Sequence, residues 1–182
     1  MKQRRGGAHG AKKKRSKAYR PYQSRYGASG GGHVLEARRE NDARIEAVMC
    51  QPYCEEQRNE IAQGYWMSFQ QLKMGEATEE AWTTLAVTLN KAMLLCETGF
   101  GEEHLPTIRD ALDAVARARV RGDQSGSFRL DGAGLAAIPS ALELHDEQLK
   151  LVVYRDIHRV EVMMETRMAQ GNVYTYAPSE AQ

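Results

Sequence analysis

The run TEEAWTTLAVTLNKAMLLCETG, residues 78–99, decides the fold, because every local signal in it agrees. Trp82, Leu85, Ala86, Leu89, Met93 and Cys96 recur three or four residues apart, the spacing that lays side chains along one stripe of an α-helix. Thr78 is a natural N-cap, Glu79 and Glu80 put negative charge in the first turn, and Gly99 suits the left-handed conformation that ends a helix. The segment is expected to be the central helix of a small helical body.

Working outward, Ile61, Tyr65, Phe69 and Leu72 form a second stripe, with Ala62 and Trp66 beside it, in a helix expected from about Pro52 to Lys73. Gly64 in its middle costs about 1 kcal/mol against alanine, which predicts a neighbouring helix approaching closely there. The short connection 74–77 predicts that these two helices are antiparallel neighbours. Upstream, a charged segment from Val34 to about Met49 carries Leu35, Ile45, Val48 and Met49 at helical positions, and Pro52 interrupts it.

Downstream, Pro106 suits a first helical turn, and Ile108, Leu112 and Val115 mark a helix to about Arg121, ended by Gly122. Residues 122–134 read as a loop by their Gly, Ser and Asp content. From Leu135 to Gln170 the apolar positions Leu135, Ile138, Leu142, Leu149, Val153, Ile157, Val160, Met164 and Met168 keep helical spacing. That length predicts a bend near Pro139 or a break within 150–155, with a short strand at 152–154 as the alternative. The expected fold is all-α, a single bundle of four to six helices. Residues 1–33 are expected to be a flexible, disordered basic arm, 34–171 the helical domain and 172–182 a C-terminal extension.

The net charge of +1 over 182 residues conceals an asymmetry. Residues 1–33 hold ten of the 25 Lys and Arg and none of the 24 acids, so the arm is +10, and the 15 bases and 24 acids that remain leave the body at −9. With almost nothing aliphatic to bury, such an arm cannot offset its own ordering entropy. Within it, Arg4, Arg5, Lys12, Lys13, Lys14, Arg15, Lys17, Arg20 and Arg25 are interleaved with Tyr19, Tyr22 and Tyr26. Guanidinium forks and aromatic faces on one chain are what phosphates and unstacked bases reward, so these twelve residues are the candidate nucleic-acid contacts, for DNA or RNA. The plainer readings are a solubilising tail or one that folds back on the acidic body. Arg117, Arg119 and Arg121 open a second question, since cations at a helix C-terminus complement its dipole but also form a phosphate-binding patch.

Chemical motifs are sought without success. Cys50, Cys54 and Cys96 are too few and too unevenly placed for a disulfide framework, and three buried thiols describe them better than a zinc site. None of the five histidines has a glutamate three residues before it, as a di-iron bundle requires. There is no Gly-x-Ser-x-Gly elbow, His-Glu-x-x-His motif or phosphate-binding glycine loop. Within 143–147, acids flank His145, but immediate neighbours on a helix point different ways and make no base and orienter pair. No catalytic residue, metal or cofactor is expected. No apolar run approaches the roughly twenty residues a bilayer span needs, and no secretory signal is read, so the expectation is a cytoplasmic protein without membrane contact. Met163, Met164 and Met168 are expected to pack in the core.

Through GEATEEAWTTLAVTLNKAM (residues 75–93), the chain resembles a family of small phage and prophage proteins of proteobacteria that carry a basic N-terminal arm with Arg-Pro and Tyr residues. The stretch from Leu144 to about Tyr174 is similar to that family's C-terminal helical part. The resemblance implies a phage-encoded protein of a bacterial cytoplasm and carries over no site residues. The sequence as a whole points to a non-catalytic, regulatory nucleic-acid-binding protein, its arm on phosphate and its body positioning the arm or forming a homodimer. The alternative is a protein-interaction factor, an adaptor or inhibitor whose acidic body engages a host protein such as the transcription or replication machinery.

Overall fold

Thr78 caps its helix as its side chain suggests, its Oγ1 accepting from the backbone N–H of Ala81 at 3.3 Å. The helix it starts, Glu79–Glu97, is the hub of the molecule in a computed structural model that describes residues 30–171. The elements are α1 (Gly30–Met49), α2 (Glu55–Met74), α3 (Glu79–Glu97), a 3-10 turn (Glu102–His104), α4 (Leu105–Ser125), α5 (Gly132–Leu151) and α6 (Tyr154–Ala169). Among the described residues the β pairing consists of one isolated antiparallel bridge, Pro52 with Val153. The arrangement is an all-α bundle in which α3 packs against α2, α4, α5 and α6. The chain divides into two units after Asn41, within α1.

The core explains that hub position. Leu85, Leu89, Ala92 and Leu95 of α3 are fully buried, and they meet Tyr65, Phe69 and Leu72 from α2, Ile108, Leu112 and Val115 from α4, and Ile138, Leu142 and Leu149 from α5. At about 1.5 to 3 kcal/mol for each large side chain, burial on this scale is what holds the bundle. Thr88 and Leu94 are buried too, so α3 is covered over a wider arc than the expected stripe, while Trp82, Ala86 and Met93 stand half-exposed. A helix surrounded by four others cannot confine its contacts to one face.

Several boundaries depart from expectation. α2 begins at Glu55 rather than near Pro52, because the preceding residues are held extended. Pro52 faces Val153, the amide of Tyr154 donates to the carbonyl of Gln51 at 3.1 Å, and the Tyr53 and Tyr154 rings lie 4.4 Å apart. The same docking breaks the long C-terminal helical pattern at Val152 and Val153, between α5 and α6, while Pro139 is accommodated inside α5. α4 runs past Gly122 to Ser125, and the left-handed Gly126 ends it. Gly122 is instead buried beneath Phe128, where an added Cβ would lie 2.4 Å from the ring, so this glycine is a packing requirement. Gly64 is the reverse case: it is exposed, and among the described residues nothing comes within 4 Å of a built Cβ. The close approach lies between α4 and α5, where a Cβ on Gly134 would come within 3.0 Å of the Ala114 Cβ.

The helix expected from Val34 begins earlier, at Gly30, and its apolar residues Leu35, Ile45 and Val48 are exposed. The arm residues 1–29, with all twelve candidate contacts, and residues 172–182 lie outside the described residues. Among the described residues no helix is long and apolar enough to cross a membrane.

Candidate functional site

Among the described residues, two of the grooves on the bundle have opposite linings. The first, of about 360 Å³, runs between α2 and α5 and is walled by Glu55, Arg58 and Asn59 on one side and Glu143, Asp146, Glu147 and Lys150 on the other. Four of its charged groups are engaged within the protein. Lys150 pairs with Glu147 at 2.5 Å, and Arg58 donates to the carbonyl of Tyr53 at 2.8 Å. Asp146 accepts from the Tyr65 hydroxyl and, at 3.1 Å, from the Trp66 indole N–H. Burial, then the adjoining carboxylate of Asp146, pushes the Tyr65 phenol well above its ordinary range, so it stays a protonated donor.

Behind this wall, Gln148 ties α5 to the far end of α3. Its Nε2 donates to the carbonyls of Ala92 (3.1 Å) and Phe100 (2.9 Å) and lies 3.2 Å from the Cys96 sulfur. Its Oε1 lies 3.1 Å from Nδ1 of His145. Burial holds the His145 pKa below 6.5, so the ring is neutral and serves as a hydrogen-bonding strut. His145 and Asp146 part company as neighbours on a helix must, one into the core and the other onto α2. This network was missed in sequence. The signal was available, because Ile138, Leu142, His145, Leu149 and Val152 continue one stripe, and a polar residue on a core stripe needs a partner.

The second groove, about 330 Å³, lies along α3 beside the end of α6. Trp82, Ala86, Val87, Met93, Met164 and Met168 line it, with Thr83, Asn90 and Arg167 at its edges. Met163 and Met164 pack partly on the core as expected, but Met168 is 60% exposed at the groove. At the other end Trp82 is fixed by its indole N–H, which donates to the carbonyl of Val115 at 2.8 Å. Phe128 stacks beside it with centroids 6.4 Å apart, and the Arg119 guanidinium lies 5.0 Å from the Trp82 centroid.

The phosphate patch suggested by three arginines of α4 does not survive the structure, because each guanidinium has an internal acid. Arg117 grips Asp131 through two nitrogens at 2.8 and 3.3 Å, and Arg121 reaches the same carboxylate at 3.4 Å. Arg119 pairs with Glu79 at 2.6 Å and with Asp123 at 3.0 Å. Asp131 also caps α5 through the Gly134 N–H at 2.7 Å. The Arg117 hydrogen bond, aided by that amide, lowers its carboxyl from 3.8 to about 2. The plain α4 dipole reading is corrected as well, since α4 extends beyond these arginines and they bind carboxylates, Asp131 and Glu79 outside α4 and Asp123 on it.

Nor do the cysteines form a buried set. Cys96 is buried, and burial pushes its thiol up, but Cys50 and Cys54 are exposed. Arg155 lies 3.1 Å from the Cys50 sulfur and pairs with Glu46. Among the described residues no three His, Cys, Asp or Glu gather as a metal site would require. The chain matches no family model, no curated protein and no solved structure.

Proposed function

We propose that the protein is a non-catalytic, regulatory nucleic-acid-binding factor of phage origin acting in a bacterial cytoplasm, with residues 1–33 as its contact element. The observation that supports this reading is the division of charge: +10 on the arm against −9 on the rest. Arg117, Arg119 and Arg121 of α4, the cluster that most resembles a phosphate patch in the body, are already paired with carboxylates. A polyanion is repelled by such a body and attracted by such an arm, and neutralising each phosphate releases counterions. The arm's lysines and arginines would bind the backbone, Tyr19, Tyr22 and Tyr26 would stack on exposed bases, and the bundle would position them.

The test is a salt series on single-stranded and duplex DNA and on RNA, comparing the full chain with one in which Lys12, Lys13, Lys14, Arg15 and Lys17 are replaced by Gln. The slope of log K against log salt should fall by about 0.7 to 0.9 for each phosphate that is no longer neutralised, so by up to about four here. Unchanged affinity and slope refute the arm as the binding element.

A second reading, a protein-interaction factor that engages a host protein of transcription or replication, draws support from the apolar groove beside α3. Retention of a partner by the five-fold Gln variant, with no nucleic acid bound by either chain, would favour it.

A further inference from the structure

Helix α2 buries Tyr65, Phe69 and Leu72 in the core, and a different side of it faces outward. Ile61, Gly64, Met67, Gln71 and Met74 recur along that side at three- and four-residue spacing, and all five are exposed, Met67 by 54% and Met74 by 68%. Residues 61–72 contain no Asp, Glu, Lys or Arg, in a chain that is 27% charged. Loss of charge together with exposed methionine marks the core of an interface rather than a solvated helix face.

Gly64 stands at the middle of this helix of 20 residues. A glycine there weakens the helix, and among the described residues nothing comes within 4 Å of a Cβ built on it, so no contact of theirs requires it. Its missing side chain does allow a second helix to come close at that point.

Charge selects the occupant. The body carries −9, so two copies repel one another through faces that present its acids. The uncharged run of α2 escapes that repulsion, and the ends of the helix are complementary. Glu55 and Glu56 lie in its first turn and Lys73 in its last, none of them in an ion pair among the described residues. In a shallow antiparallel crossing at Gly64, Ile61, three positions before the crossing, meets Met67 of the partner subunit, three positions after it. Glu55, nine before, likewise meets Lys73 of the partner subunit, and the two helix dipoles oppose. The patch therefore matches itself, as a two-fold contact requires.

We propose that α2 is a self-association surface, through which two copies of this chain pair antiparallel with the Gly64 of each at the crossing. The proposal depends on neither functional reading, since it uses neither the arm nor a host protein. One helix pair covers less than the roughly 800 Å² per partner of a standard interface, so a dissociation constant on the order of 10 µM is expected.

The test is sedimentation of the full chain from about 1 µM to about 200 µM, which should show single chains giving way to dimers. Gly64→Gln should raise the dissociation constant at least about tenfold, while the melting temperature at about 1 µM does not fall, because glutamine is the better helix former. Met67→Lys, at an exposed position, should weaken the dimer as much by placing a charge in the contact. The five-fold Gln variant of the arm should leave the constant unchanged. Single chains throughout the range would overturn the proposal, as would a dimer that survives either α2 substitution or one that is lost in the arm variant.

Discussion

The two grooves have nearly the same volume, yet one is closed chemically and the other is open. Along the α2 and α5 groove Tyr65 and Trp66 donate to Asp146 and Lys150 pairs with Glu147, and behind it Gln148 ties α5 to two carbonyls at the far end of α3. Beside α3 and α6 the walls are methyl, thioether and indole surface, and Val87 and Met168 remain exposed. Polar groups in a seam stabilise only as a complete set, whereas apolar surface is fully rewarded only when something covers it. The first groove is therefore a structural joint, and the second an apolar surface left open.

The comparison is broken most severely at Asp146. Asp146→Ala leaves the Tyr65 hydroxyl, on a residue 2% exposed, and the Trp66 indole without their acceptor, at an expected cost of about 2 to 4 kcal/mol in denaturant unfolding. Tyr65→Phe in the same chain should return part of that loss, and a double-mutant cycle gives the coupling. If Asp146→Ala were silent, the joint would not be a joint.

Two glycines sharpen the contrast next. Gly122→Ala should destabilise by about 1 to 3 kcal/mol and loosen the Trp82 end of the apolar groove, since the new methyl displaces Phe128. Gly64→Ala, on the polar side, should stabilise by about 0.5 to 1 kcal/mol, because α2 is open there and alanine is the better helix former. Thermal melts of the two variants should move in opposite directions.

Acid should act on the polar side through His145. Its folded pKa lies below 6.5, so the penalty is absent above that pH, where both states are neutral, and grows as pH falls and the unfolded chain takes up the proton. Melting temperature should decline from pH 7 to 5, and His145→Gln should flatten that decline. Asp131 works in a separate window: its contribution is complete above its ordinary value of 3.8 and disappears as pH falls towards about 2. The smallest effect belongs to the open groove, where Val87→Lys should alter stability by no more than about 0.5 kcal/mol.

Much of the fold is legible along the chain because helix signals are local. The Thr78 cap, the Leu85 and Leu89 stripe, Pro106 in a first turn and the break after Leu151 all follow from spacing and backbone chemistry. The misreadings share a cause, which is that the deciding partner is distant in sequence. Gly122 resembles a terminator until Phe128 is placed over it, and Gly64 resembles an internal packing site until nothing among the described residues is found there. Arg117, Arg119 and Arg121 resemble a phosphate patch until Asp131, Glu79 and Asp123 claim them. Asp146 and Gln148 pass as surface residues because their partners lie about 50 to 80 positions away.

By itself the sequence determined the helical class, the approximate course of each helix and the separation of positive from negative charge, since periodicity, capping and composition act over a few residues. Only the tertiary structure decided which polar side chains are tied up, which glycines matter and which apolar surface stays open. Those outcomes depend on what long-range packing brings alongside each residue, and no local pattern contains that.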